Sequence, residues 1–303
     1  MAGSEIEQVR ALLAGLGQAL PLEEMRAAYD GVGMQFPARP DLTVRPEAAG
    51  NVPAEWTSTP TAAADRVILY LHGGGFSVGS IMSHRHVAAE LGYAAGAKTL
   101  ALDYRRAPEH PFPAAVDDCL AGYRFLLDAG FSPARIAIAG DSAGGHLVVT
   151  TLLAARRAGL PQPSCGACFS PWMDLEATGA TMKTKADVDP LVQRDPLLQM
   201  AAAYLGAARA SGELAAPLGA NYRGLAPLLI QVGSAETLLD DSLRLASVAG
   251  AQEVDVRLEV WPDMVHTWHY FYPMLQEGRR ALTVAGAYIR DRIERSSQHA
   301  MAA

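Results

Sequence analysis

Short apolar runs at Arg66 to Leu71, Lys98 to Asp103, Arg135 to Ala139, Ser164 to Ser170, Leu228 to Val232 and Val256 to Val260 alternate along this chain with helical spacing near residues 85–94, 114–129, 143–158, 238–250 and 279–294. A repeat of buried strand and amphipathic helix predicts a mostly parallel sheet covered on both faces, because each parallel return needs a crossover. Two earlier runs, Leu42 to Arg45 and Ala54 to Thr59, lie around the turn residues Gly50 and Asn51 and predict a hairpin-like pair, hence an antiparallel edge. The fold class read from this pattern is α/β, with a mixed central sheet flanked by helices.

Two stretches stand outside the rhythm. Residues 1–40 place Ile6, Val9, Leu12, Leu13, Leu16 and Leu20 at helical spacing, then start a second helix after Pro21, which reads as an N-terminal helical cap segment. Residues 176–221 contain helical pieces such as Leu197 to Leu205 but no strand, between two strands expected to be near neighbours. An insertion that long usually covers a functional face, so it is expected to contribute to the cap. The main α/β unit is then 41–175 with 222–296, and the Ser/Gln/Ala-containing end, 297–303, reads as a flexible tail.

Half of the 303 residues are apolar and 19% are charged, which supports a sizeable core and excludes a disordered or collagen-like chain. With 25 Lys+Arg against 32 Asp+Glu the formal charge is −7, which argues against nucleic acid or an anionic membrane as partner. Three cysteines, an acidic start and no apolar run near the roughly 20 residues a span requires point to a cytoplasmic protein without a membrane span. Cys165 and Cys168 fall three apart in a strand, on opposite faces, and His84 and His86 splay on a helix, so neither pair suggests a metal; no cofactor is expected.

The run Gly140-Asp-Ser-Ala-Gly144 joins an apolar strand directly to a helix. That context makes Ser142 a candidate nucleophile on a sharp turn, its hydroxyl exposed at the carboxyl edge of the sheet. After an earlier strand comes His72-Gly-Gly-Gly-Phe76, whose glycines allow backbone to approach a reacting group. Amides of Gly74, Gly75 and Ala143 are candidate oxyanion donors, and His72 reads as a brace for the loop. A serine hydroxyl needs a histidine base and a carboxylate to orient it. His266, on the loop after the last strand, is preferred over His269 and His299. For the acid, Glu236 comes first after its strand, with Asp240 and Asp263 as alternatives. Phe76, Met34, Phe36 and Leu198 are candidate substrate-binding residues; Leu16, Leu20, Met25, Leu197 and Tyr204 are further candidates for an apolar pocket.

Five co-linear motifs resemble the bacterial hormone-sensitive lipase family of α/β-hydrolases: His72 to Phe76, Asp103-Tyr-Arg-Arg-Ala-Pro-Glu-His-Pro-Phe-Pro-Ala-Ala115, Gly140 to Gly145, Ser170-Pro-Trp-Met-Asp-Leu175 and Asp263-Met-Val-His266. The likeness spans roughly residues 40 to 295. It implies the α/β-hydrolase fold with a small helical cap and a carboxylic ester hydrolase with Ser142, Glu236 and His266 as triad. It also implies an oxyanion hole at Gly74, Gly75 and Ala143, and makes a homodimer plausible. Two positions depart from the family pattern: Glu236-Thr-Leu stands where Asp-Pro-Leu is usual, and Arg106 where Leu is commoner. The expected substrate is a small-molecule ester of short to medium acyl chain, handled through an acyl-enzyme. An amidase or formamidase could use the same residues, and a plant receptor of related fold lacks the histidine that this chain keeps at 266. An exposed edge strand such as Val256 to Val260 could pair across a twofold axis.

Overall fold

The computed structural model describes residues 2–16, 20–208 and 212–302. Its centre is an eight-stranded sheet, β1 (Thr43–Ala49), β2 (Val52–Ser58), β3 (Ala63–Leu71), β4 (Ala97–Leu102), β5 (Ile136–Asp141), β6 (Cys165–Phe169), β7 (Leu228–Gly233) and β8 (Val256–Trp261), in the order β1-β2-β4-β3-β5-β6-β7-β8. β1 and β2 pair antiparallel, β2 meets β4 antiparallel, and every later pairing is parallel. The sheet is therefore the mixed, mostly parallel one that the alternation demanded.

Both faces are covered. α4 (Ala114–Asp128), α5 (Ala143–Arg157) and α8 (Leu239–Gly250) close one side over Leu69, Ile138, Cys168 and Ile230. α3 (Ile81–Ala95) and α9 (Gln276–Ala302) close the other over Ile68, Ala137, Cys165 and Leu229. Alternate residues of one strand serve opposite cores, which is why Cys165 and Cys168 are free, buried and apart. Burial raises both thiols, that of Cys165 to about 12. Among the described residues no cluster of His, Cys, Asp and Glu could hold a metal, and no helix is long and apolar enough to cross a membrane.

The parallel register sets the position of the site. Leu71 pairs with Gly140, Asp141 with Phe169, and Gly233 with Trp261, so the loops after β3, β5, β6, β7 and β8 leave the same edge of the sheet side by side. Above that edge lie α1 (Ala2–Leu16), α2 (Leu22–Gln35), and the insertion with α6 (Thr181–Thr184) and α7 (Arg194–Leu205). The end read as a tail is different: α9 carries the helix to Ala302, since nothing in that sequence breaks a helix and Ser297 Oγ is satisfied by the Ile293 carbonyl at 2.7 Å.

Candidate active site

Ser142 occupies the turn between β5 and α5 with φ 53° and ψ −119°, a conformation that costs a non-glycine residue roughly 1–3 kcal/mol. The turn is held by Ser142 N–H donating to the Phe169 carbonyl at 2.8 Å and Trp172 N–H donating to the Ser142 carbonyl at 3.1 Å. Close packing requires glycine at 144: a Cβ there would lie 2.0 Å from the Leu71 carbonyl oxygen. Because α5 can press onto the end of β3, the elbow sits against the glycine loop.

In that loop Gly74 has φ 114° and a Cβ on it would meet the Val78 carbonyl oxygen at 2.2 Å. The amides of Gly74, Gly75 and Ala143 have no acceptor among the described residues. Gly74 and Gly75 line the cavity that also holds Ser142. His72 braces the loop: its Nδ1–H donates to the Gly73 carbonyl at 2.8 Å, its ring stacks on Tyr104 at 4.1 Å, and burial pulls its pKa down to about 3.

His266 Nδ1 is 2.9 Å from Glu236 Oε2, and both side chains are buried. Glu236 Oε1 accepts from Ser170 Oγ at 2.8 Å and from Gly233 N–H at 2.5 Å. Burial pulls the imidazole's pKa down, but the hydrogen bond and charge of Glu236 outweigh it, so His266 is held above its ordinary value. The sequence alternatives lie elsewhere. Asp240 accepts from Ala180 N–H at 3.3 Å, Asp263 is exposed, and His269 is buried with Nε2 against Gln231 Oε1 at 2.9 Å and its pKa lowered by burial to about 3. His299 belongs to side chains outside the described set.

Ser142 and His266 line one cavity of about 450 Å³, inside the roughly 300–1,000 Å³ usual for small-molecule sites. Its apolar walls come from the cap: Leu13, Leu20, Met25 and Val32 from the N-terminal segment, and Leu191, Leu197 and Met200 from the insertion. The expected substrate-binding residues are corrected here. Met34 is 61% exposed, on the outer side of α2. Phe36 packs edge-on against Tyr270 and Phe271, Phe76 is buried and stacked on Tyr204 at 3.8 Å, and Leu198 packs against the core. None lines the cavity, because apolar character alone did not reveal which side of each element faces inward. Tyr204 is likewise committed to Phe76, and the Leu16 side chain lies outside the described residues.

Sequence reasoning missed three contributors. Ser170 supports Glu236 and also accepts from Thr267 N–H at 3.2 Å; its motif was visible but not its contacts. Asp189, in the insertion, accepts from Thr237 N–H at 2.8 Å and steadies the turn bearing Glu236. Asp141 accepts from Tyr70 OH at 2.8 Å and Gly73 N–H at 3.2 Å, and lies 3.3 Å from His84 Nε2. Burial would raise the Asp141 carboxyl, yet His84 and the Tyr70 hydrogen bond outweigh burial and it is lowered.

Residues 68–270 match the family described as having the alpha/beta hydrolase fold. An acetyl-hydrolase of Streptomyces hygroscopicus is 45% identical over 295 residues, 96% of this chain and 97% of that protein. An esterase of Acinetobacter venetianus is 32% identical, covering 85% of each. Among solved structures, an esterase from the bacterial hormone-sensitive lipase family superimposes with a TM-score of 0.94 at 44% identity, over 96% of this chain and 98% of the other.

Proposed function

The chain belongs to the bacterial hormone-sensitive lipase family of α/β hydrolases, and from that premise we propose that it is a carboxylesterase acting on short- to medium-chain acyl esters, with Ser142 as nucleophile, His266 as base and Glu236 as orienting acid. The observation that carries the reading is the His266–Glu236 hydrogen bond at 2.9 Å, with the imidazole on the same cavity as Ser142, whose hydroxyl has no hydrogen-bond partner among the described residues. Glu236 accepts a hydrogen bond from Nδ1–H, which fixes the tautomer that leaves Nε2 as acceptor.

Ser142 Oγ attacks the ester carbonyl carbon while its proton passes to His266 Nε2. The carbonyl π pair becomes the oxyanion, held by the amides of Gly74, Gly75 and Ala143, which need no reorganisation because no acceptor among the described residues occupies them. Collapse of the tetrahedral intermediate expels the alkoxide, which takes the proton from Nε2 and leaves as alcohol. Water then repeats the sequence on the acyl-enzyme, releasing the carboxylic acid and restoring Ser142.

The cavity volume and its cap-derived apolar walls support chains of modest length over emulsified long-chain fat. With a series of acyl esters, the expected kcat/KM maximum falls at short to medium acyl chains. Ser142→Ala is expected to lose on the order of 10⁴-fold or more in kcat while keeping its unfolding midpoint. Retained hydrolysis in that variant, or a maximum at long chains, contradicts the reading; faster turnover of the matched amides moves it to an amidase.

A further inference from the structure

One corner of the cavity is polar. α2 runs alongside the segment 77–83: Arg26 Nε donates to the Ser77 carbonyl at 2.9 Å, Ser80 Oγ donates to Asp30 Oδ1 at 2.5 Å, and a Cβ at Gly33 would fall 2.3 Å from the Ser83 carbonyl oxygen. Tyr29, between these contacts, lines the cavity with Ser77 and His84. Tyr270, from the turn after His266, closes the same corner with its ring edge-on to His84 at 5.4 Å.

The polar groups here divide into two kinds. Asp141 and His84 are committed: the carboxylate serves Tyr70, Gly73 and His84, and His84 Nδ1 meets Ser83 Oγ at 2.8 Å. The hydroxyls of Ser77, Tyr29 and Tyr270 have no hydrogen-bond partner among the described residues. Ser77 Oγ has almost no accessible surface, whereas the Tyr29 and Tyr270 hydroxyls are not closed off in this way and can take a partner from a bound group. Burial, with Asp141 nearby, raises the Tyr29 phenol to about 12, so it stays a proton donor at neutral pH. The ionised Asp141 disfavours an anion, and its pairing with His84 removes the demand for a cation.

We infer that this corner is a subsite for hydroxyl groups carried by one half of the ester, so that monoesters of polyols or hydroxyacyl esters are preferred over plain alkyl esters. The inference rests on the carboxylesterase reading above and adds to it a chemical class of substrate.

The test measures kcat/KM of the full-length enzyme on two matched pairs: propyl acetate against 2,3-dihydroxypropyl acetate, and ethyl butyrate against ethyl 3-hydroxybutyrate. The hydroxylated member of at least one pair is expected to lead by about 3- to 10-fold for each hydrogen bond gained. The pair that responds identifies the half of the ester bound. Tyr29→Phe and Tyr270→Phe, which remove only an oxygen, are expected to bring that ratio toward unity, whereas Ser77→Ala, at a hydroxyl with almost no accessible surface, is expected to leave it unchanged. Plain esters hydrolysed as well as their hydroxylated partners, or a preference that both tyrosine variants retain, overturns the subsite alone. Failure to hydrolyse any of the four overturns the carboxylesterase reading and the subsite with it.

Discussion

His266 combines two opposed influences, burial that favours its neutral form and the Glu236 carboxylate that favours the protonated one, and the carboxylate wins. A base must be neutral to work, so the acid limb of the kcat/KM profile is expected above the ordinary histidine value of about 6.5. In Glu236→Gln the charge is gone while burial stays. The limb should move down in pH, with kcat falling on the order of 10³- to 10⁴-fold from the lost orientation. Asp240→Asn, on a carboxylate that meets Ala180 rather than the imidazole, should leave both quantities within about twofold. A limb unmoved in Glu236→Gln would remove that residue from the role. At this scale the chemistry-bearing loops were legible because the strand-turn-helix at Ser142 and the glycine run at 73–75 impose local geometry that few other residues satisfy. The cavity wall was not legible: Met34 and Val32 are both apolar and two apart on α2, yet one faces solvent and the other the cavity.

Among the elements, α2 is fastened to the body by Asp30, which accepts from Ser80 Oγ at 2.5 Å, and by several hydrogen bonds from one guanidinium. Arg26 reaches Glu109 through two hydrogen bonds at 2.7 and 2.8 Å, donates to the Ala107 carbonyl at 3.1 Å and to the Ser77 carbonyl at 2.9 Å. The bonds to Glu109 lie near solvent and are screened, so the carbonyl contacts carry more of the fastening. Arg26→Met keeps the aliphatic stem and loses the bonds. KM is expected to rise roughly 3- to 10-fold with kcat within about twofold, since α2 walls the cavity but does not touch the reacting atoms. An equal fall in kcat would show that α2 positions the chemistry itself. The strands were legible because buried parallel strands read as continuous apolar runs. The continuation of α9 to Ala302 was not, because polar residues at a chain end look alike in a helix and in a loop.

For the molecule as a whole, the proposed catalytic residues come from the sheet edge, and residues of the N-terminal segment and the insertion wall the cavity beside them. Arg10, on α1, ties them by donating to the Val188 carbonyl at 3.3 Å and the Asp263 carbonyl at 3.2 Å. Removing residues 1–36 takes away Leu13, Met25, Tyr29 and Val32 from the cavity wall. In that truncated form, with circular dichroism confirming a folded α/β body, the fall of kcat/KM beyond medium acyl chains should flatten; an unchanged profile would mean that the insertion alone sets length. The central claim is that loops distant in sequence meet around one reactive hydroxyl. Labelling with a fluorophosphonate ester, read by peptide mass spectrometry against residual esterase activity, tests it. One equivalent on the peptide carrying Ser142, with activity lost in proportion and no labelling of Ser142→Ala, is the expected result; full labelling with activity intact, or a label on another residue that tracks the loss, would contradict it.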